Sequence, residues 1–301
     1  MTLLAHSLTA IETLFGAVGR KRGLPHPLVE KLQRIFVRLP SRMPPEPFQC
    51  PHIAGEFIGE LSSHIDWHVY FRGAYDEAGL NLIQSTVQNS SRSVAWDIGA
   101  NVGNHTLFLS RLFEKVYSFE PMPSLINQLR NNVRLNELNN VQIEEYGLAD
   151  NSGQIPYFSG QNGNVGQGSF VNRTGLPADL ELPLKTGDEV FAELDLQHLD
   201  FVKIDVEGFE VEVLRGMRNT LNQTRPIVQF EWLSESRDKV SRAELCGLFP
   251  ERYTLQGSAR SRRLIDRLAT VAVLRKIPFD YNAEYGNALA IPDELLDCGR
   301  P

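Results

Sequence analysis

Residues 94 to 104 read VAWDIGANVGN, a short apolar run that ends in Asp97 and passes at once into a turn holding Gly99, Asn101 and Gly103. Such a run is a strand entering a glycine turn that opens a helix, the junction at which open α/β sheets receive nucleotide-like ligands. Twenty-three positions after Asp97 a second apolar run, VYSF, ends in Glu120. A carboxylate at that strand tip is placed to accept both hydroxyls of a ribose. Asp97 narrows the choice of nucleotide. A dinucleotide would bring its pyrophosphate to this turn, where an anionic strand tip repels it. S-Adenosyl-L-methionine brings an ammonium and a sulfonium instead, so it is the expected cofactor and methyl transfer the expected chemistry.

From this junction onward strand and helix patterns alternate. VAWDI, KVYSFE, VQIEEY, DFVKID and PIVQFEW read as strands, and NHTLFLSRLF, SLINQLRNNVRLN and FEVEVLRGM read as helices, with Leu125, Leu129 and Val133 at spacing four in the second helix. Alternation of this kind predicts a parallel sheet with helices on both faces. Ahead of it, IDWHVYF (65 to 71) suggests a short strand and YDEAGLNLIQSTV a helix, while ELCGLF, YTLQG and GNALAIP after Trp232 suggest a helix and two further strands. The interval from Asp150 to Asp200 breaks the rhythm. Its segment SGQNGNVGQGS (159 to 169) is too rich in glycine and amides to build a core, and reads as a hairpin tip or, more sharply, a substrate lid.

A chain of 301 residues can bury one large core with an appendage. Prolines at 40, 44, 45, 47 and 51 mark a linker, which divides the chain into an N-terminal helical extension over 1 to 50 and the main domain over 51 to 301. The net charge of −7 argues against nucleic acid as a partner. The charge is uneven, +5 through Arg42 and −12 beyond it. Leu28, Leu32, Ile35, Phe36 and Leu39 fall at helical spacing beside Lys31, Arg34 and Arg38. Packing on the domain is the ordinary fate of such a helix and contact with a membrane surface the rarer one. Cys50, Cys246 and Cys298 are odd in number and show no metal-ligand spacing, which fits a reduced, cytoplasmic setting. No apolar run has the ~20 residues that a transmembrane helix needs.

Ligands of open parallel sheets sit beyond the carboxyl ends of the strands. The residues collected there are Asp97, Glu120, the turn from Gly147 to Asp150, Asp205 with Glu207, and Glu231. So many acids in one crevice are costly unless a cation or shared protons occupy it, and a sulfonium cofactor supplies part of that charge. Asp205, Glu207 and Glu231 also offer hard oxygen ligands, yet their spacing matches no dedicated metal cage. No metal is expected.

The segments DIGANVGNHT (97 to 106), SFEPMPSLINQLRNNVRLN (118 to 136), GLAD (147 to 150), KTGDEV (185 to 190), KIDVEGFEVEVLRG (203 to 216) and PIVQFEW (226 to 232) together resemble the FkbM family of S-adenosylmethionine-dependent methyltransferases. The resemblance implies a class I methyltransferase fold, a Rossmann-like α/β sheet whose last strand runs antiparallel, here with an N-terminal helical extension. It implies methyl transfer to a hydroxyl oxygen of a small molecule such as a sugar, glycolipid or polyketide. It further implies that Asp97, Gly99, Asn101 and Gly103 hold the methionine part of the cofactor, that Glu120 with Pro121 holds the ribose, and that Leu148 and Asp150 lie near the adenine.

A neutral hydroxyl needs a base within hydrogen-bond reach of its proton. Asp205, Glu207, His105 and Glu231 are the candidates, with Asp205 first because its strand tip should lie nearest the transferred methyl. His105 has the most suitable ordinary pKa, ~6.5, and Glu231 could instead bind a substrate hydroxyl. The Arg260, Arg262, Arg263 and Arg267 cluster reads as a solvated face or as a contact for an anionic acceptor. Two other readings are a nicotinamide-dependent oxidoreductase, disfavoured by Asp97 and by a G-x-N-x-G turn, and a catalytically silent binding protein on the same fold.

Overall fold

The computed structural model describes residues 47–158, 170, 178, 180–261 and 273–297. Two compact units are present, Met1–Asn81 with Arg260–Arg275, and Leu82–Ala259 with Lys276–Pro301. The expected N-terminal helix, the glycine-rich segment 159 to 169, and Arg262, Arg263 and Arg267 lie outside the described residues.

The first unit opens on an antiparallel hairpin, β1 (Pro47–His52) with β2 (Gly55–Glu60). Pro47 and Pro51 are therefore strand residues, and the pairing runs across position 50, where the sequence places a boundary. Helix α1 (His64–Arg72) follows, so the expected strand over IDWHVYF is in fact helical. Its ends explain why aromatic and β-branched content did not win. The Ser63 hydroxyl accepts the Asp66 N–H, and Gly73 closes the helix in a left-handed conformation at φ 85° while donating to the Val69 carbonyl. Trp67 and Phe71 sit four residues apart, with ring centroids 4.6 Å apart. Asp66, fully buried, accepts the Glu60 N–H at 2.8 Å, which ties the helix to the hairpin. Helix α2 (Glu77–Val87) is found where expected.

The second unit is built on the large sheet. Strands β3 (Val94–Ile98), β4 (Lys115–Phe119), β5 (Val141–Glu144), β9 (Phe201–Ile204), β10 (Ile227–Trp232), β11 (Tyr253–Arg260), β12 (Leu274–Pro278) and β13 (Tyr285–Pro292) lie in the order β12-β11-β13-β10-β9-β3-β4-β5. The run from β5 to β10 is parallel, and β13 is antiparallel to both β10 and β11. This is the class I methyltransferase order, with the reversed strand inserted between two others. Helices α3 (Asn104–Leu109), α4 (Pro123–Leu135), α6 (Glu210–Gly216) and α7 (Arg218–Thr224) occupy the crossovers. On α4 the buried residues are Ile126, Leu129 and Asn132, not the Leu125, Leu129 and Val133 stripe that spacing suggests. The helix is rotated because the Asn132 amide donates to the Val102 carbonyl at 2.9 Å beneath the glycine turn.

Between β5 and β9 lies a second, three-stranded sheet that the sequence did not announce. It pairs β6 (Gly147–Ala149) in parallel with β8 (Leu180–Thr186), which is antiparallel to β7 (Gly153–Tyr157). Thr186 then caps α5 (Gly187–Glu193) in a reciprocal capping box with Glu189. After β10 come α8 (Ser234–Arg237) and α9 (Arg242–Leu248), and α10 (Asp293–Asp297) follows β13. The Asp200 carboxylate accepts the N–H groups of Ser93 at 2.8 Å and Val94 at 2.9 Å, pinning the start of β3 to β9 across more than a hundred residues of chain.

The two faces of the large sheet differ. One carries Trp96, Ile98, Tyr117, Phe119, Val202, Ile204, Val228 and Phe230, packed with Val211, Leu214 and Met217 of the α6 region. Alternation places Ser118, Asp97, Lys203 and Gln229 on the opposite face. These four are direct register partners on β4, β3, β9 and β10, and all are at most 5% exposed. A buried polar row thus crosses the centre of the sheet.

Gly216 at the end of α6 has no room for a side chain, since a Cβ there would lie 1.8 Å from the Ala149 carbonyl oxygen of β6. Exposed Gly247 in α9 has nothing within 4 Å of the same position. Gly216→Ala is expected to destabilise the protein by at least ~2 kcal/mol, and Gly247→Ala to stabilise it by up to ~1 kcal/mol. Urea unfolding of the two variants measures both.

Candidate active site at the strand tips

Each acid of the site stands where a buried strand ends. Asp97 is fully buried. Its Oδ2 accepts the Thr106 hydroxyl at 2.7 Å, and that hydroxyl lies 2.9 Å from the Ser118 hydroxyl. Asp97 Oδ1 has no hydrogen bond among the described residues, and the Lys203 ammonium stands 3.6 Å from it. Burial pushes the Asp97 carboxyl above the ordinary carboxylate range, against the pull of Lys203 and Thr106.

The turn after Asp97 is wound in the left-handed region at Gly99 (φ 80°), Asn101 (φ 51°) and Gly103 (φ 96°). Gly99 is needed for more than its torsion. A Cβ there would stand 1.9 Å from the Asp205 carbonyl oxygen, so the β3 and β9 tips meet with no space between them. The Asp205 N–H donates to the Ile98 carbonyl at 3.0 Å. The next strand closes the turn from the other side. Gly99 and Ala100 both donate to the Phe119 carbonyl, and Asn101 N–H donates to Glu120 Oε2 at 2.9 Å. Glu120 Oε1 accepts the Met122 N–H, also at 2.9 Å. Burial still dominates its proton affinity and pushes it up to about 7.

At the third tip Glu207 and Gly208 both have positive φ, 54° and 93°, and α6 begins only at Glu210. Glu210, an acid the sequence reading passed over, accepts the N–H groups of Val206 at 3.3 Å and Gly208 at 3.1 Å, and its other oxygen takes the Ser236 hydroxyl at 2.5 Å. It shapes the loop, leaving the Asp205 side chain 31% exposed. Glu231 on β10 is held protonated near neutrality. Burial, and then the negative charges of Asp205, Glu210 and Glu207, push it up to about 9.

Lys203 was also missed. Its Nζ lies 3.1 Å from Asp205 Oδ2 as well as 3.6 Å from Asp97 Oδ1. Burial disfavours its charge, but Asp205 and Asp97 outweigh burial and hold its pKa above the ordinary lysine value. The signal was present in FVKI, since lysine is almost never fully buried unless paired. His105 is buried in the first turn of α3, with its Nδ1 3.4 Å from the Asn104 amide. Leu148 belongs to the apolar core cluster that includes Ile98 and Phe119, and Asp150 follows β6. Pro121, half-buried, would stand 3.4 Å from a Cβ on Gly147. Among the described residues no group of three or more His, Cys, Asp or Glu could hold a metal ion, and no helix is long and apolar enough to cross a membrane.

The raised acids set the pH dependence of stability. Glu231 binds its proton more tightly in the folded chain, at about 9, than at the ordinary 4.5, so folded stability falls as pH rises between those values. Thermal unfolding should give a lower Tm at pH 9 than at pH 7, and Glu231→Gln should remove most of that difference.

Comparison with known proteins identifies the family. The family model of the methyltransferase FkbM domain matches residues 97–253, just over half of the chain. A hexuronic acid methyltransferase, AglP, of Haloferax volcanii is 29% identical over 45% of this chain and 54% of its own length. The methyltransferase sdnD of Sordaria araneosa is 30% identical over 40% of this chain and 59% of its own. The chain thus spans between half and two thirds of the length of these relatives. Among solved structures, a methyltransferase FkbM from Methylobacillus flagellatus aligns at 19% identity with a TM-score of 0.42, covering 62% of this chain and 44% of that one. The family model covers more than half of the chain, and the chain belongs to the FkbM family of methyltransferases.

Proposed function

We propose that this protein transfers the methyl group of S-adenosyl-L-methionine to a hydroxyl oxygen, and that its acceptor is a sugar, with an acidic sugar the first candidate. The observation that carries the reading is the buried Asp97 carboxylate at the base of a glycine turn, whose Oδ1 has no hydrogen bond among the described residues. A buried anionic oxygen in want of a donor fits an ammonium and repels a pyrophosphate. Glu120 fits a ribose, because each of its oxygens accepts one backbone N–H and retains a lone pair for a hydroxyl. The nicotinamide reading meets the same obstacle at Asp97 as before.

When bound, the cofactor supplies an electrophilic methyl on a sulfonium. The residues of the chain do the rest. Asp97 and the turn from Gly99 to Gly103 orient the amino acid end, and Glu120 with Pro121 the ribose; Leu148 and Asp150 remain the proposed neighbours of the adenine. Asp205 takes the acceptor's proton. Among the four candidate bases it combines an accessible carboxylate with a cation beside it. Glu231, protonated at neutral pH, is a hydrogen-bond donor to an acceptor oxygen and no base. Glu207 stands in the left-handed turn beside Asp205 and contacts the acceptor, while His105 is buried in the first turn of α3, beside the Asn104 amide. The acidic-sugar preference comes from the hexuronic acid methyltransferase among the relatives.

Calorimetric titration should show binding of S-adenosylmethionine and no heat with NADH, and Asp97→Asn should weaken that binding by tenfold or more. With uronic acid glycosides as acceptors, Asp205→Asn should lower kcat by about 10²- to 10⁴-fold, the usual contribution of a general base. Binding of NADH instead, or methyl transfer undiminished in Asp205→Asn, would reject the corresponding part of the reading.

A further inference from the structure

The polar row across the sheet contains a single cation. Ser118, Asp97, Lys203 and Gln229 are register neighbours on four adjacent strands, and the only positive charge among them is the Lys203 ammonium, between Asp97 at 3.6 Å and Asp205 at 3.1 Å. We infer that Lys203 is a positioning residue that keeps Asp97 ionised for the ammonium of the cofactor and, with the same charge, orients the Asp205 carboxylate toward the acceptor. This rests on the reading of Asp97 as the anchor of the cofactor.

The argument is one of desolvation. A carboxylate with no solvent contact takes up a proton unless hydrogen bonds or a nearby cation oppose it. Thr106 provides one hydrogen bond to Asp97 Oδ2, and among the described residues Oδ1 has no hydrogen-bond partner within reach and faces the Lys203 ammonium at 3.6 Å. A protonated Asp97 has no charge with which to hold an ammonium. Lys203 is itself buried, in a strand whose four residues are all buried, with no route for its ammonium to solvent that does not break its contacts with the two acids. It is also held by two acids on different strands, so the tip of β3 and the tip of β9 share one counter-ion.

Among the described residues, the other charged groups around this centre are Glu231 on β10, Glu120 at the tip of β4, Glu207 in the turn after Asp205 and Glu210 on α6. Each interacts with Asp97, Lys203, Asp205 or Glu231 through space. All four are acids, so none can replace the ammonium. They also titrate in the wild type, and the informative quantity is the change in pH dependence when Lys203 is altered. A lysine that served packing alone would, on removal, weaken the cofactor equally at every pH.

The test is calorimetric titration of the full chain with S-adenosylmethionine from pH 6 to pH 9, in the wild type, Lys203→Gln, Lys203→Arg and Asp205→Asn, each first checked for cooperative thermal unfolding. In Lys203→Gln affinity should rise with pH more steeply than in the wild type, approaching an additional roughly tenfold per pH unit for one linked proton. Lys203→Arg, which keeps the charge, should follow the wild-type slope. Should Lys203→Gln not fold, Asp205→Asn decides the matter. It removes the nearer of the two acids beside Lys203 and should give a slope no steeper than the wild type, and a steeper one overturns the inference. Parallel slopes for the wild type and Lys203→Gln overturn the role of Lys203 while leaving the cofactor in place. A wild type that binds no S-adenosylmethionine at any pH overturns the cofactor reading itself.

Discussion

A sheet that buries charge must neutralise it from within, and in this protein a single ammonium does so. Lys203 stands opposite Asp97 in the β3–β9 register and two residues before Asp205, so side-chain alternation alone brings cation and anions to one face. Removing one member of such a group leaves an uncompensated buried charge, at a cost commonly of about 3–5 kcal/mol. The close approach of Gly99 to the Asp205 carbonyl follows from the same register. Strands held this tightly leave little freedom in where the two acids point. Loops with Gly, Asn and Glu in left-handed conformations then carry the turn away from the sheet.

The large sheet was legible because its strands are short apolar runs separated by helical periodicity, a pattern strong enough to reveal the order of elements and the strand-tip acids. The failures have separate causes. Residues 65 to 71 have the composition of a strand, and the caps that make them helical, Ser63 and Gly73, lie outside the apolar run that was weighed. The three-stranded sheet escaped notice because β6 has only three residues and its partner β8 lies more than thirty positions away. Non-local pairing of so short a strand leaves no periodic trace.

Within the site, the acids at strand ends could be read individually, whereas the groups that govern them could not. Lys203 and Glu210 act through neighbours distant in sequence, Asp97 and Ser236 respectively. Their importance depends on register and loop shape. The same is true of Glu231. Its position at a strand end suggests a base, and its burial among three other acids makes it a hydrogen-bond donor instead. Sequence names the functional group, and the surroundings decide its protonation.

The hairpin of β7 and β8 bears on how such a protein can change over evolutionary time. Its two strands are anchored at their base, by β6 on one side and by the Thr186 cap on the other, while Asp200 independently fixes where the chain rejoins the large sheet. Lengthening a loop costs free energy only logarithmically, about 0.6 kcal/mol for each doubling. Phe170, between these anchors, packs against Tyr157 and Phe209 with ring centroids 5.3 Å and 5.5 Å apart, so a change of length in the interval is cheap for folding only while that contact is kept. The charges buried in the large sheet are set by strand register and not by the length of that interval, so the two can change at different rates within one chain.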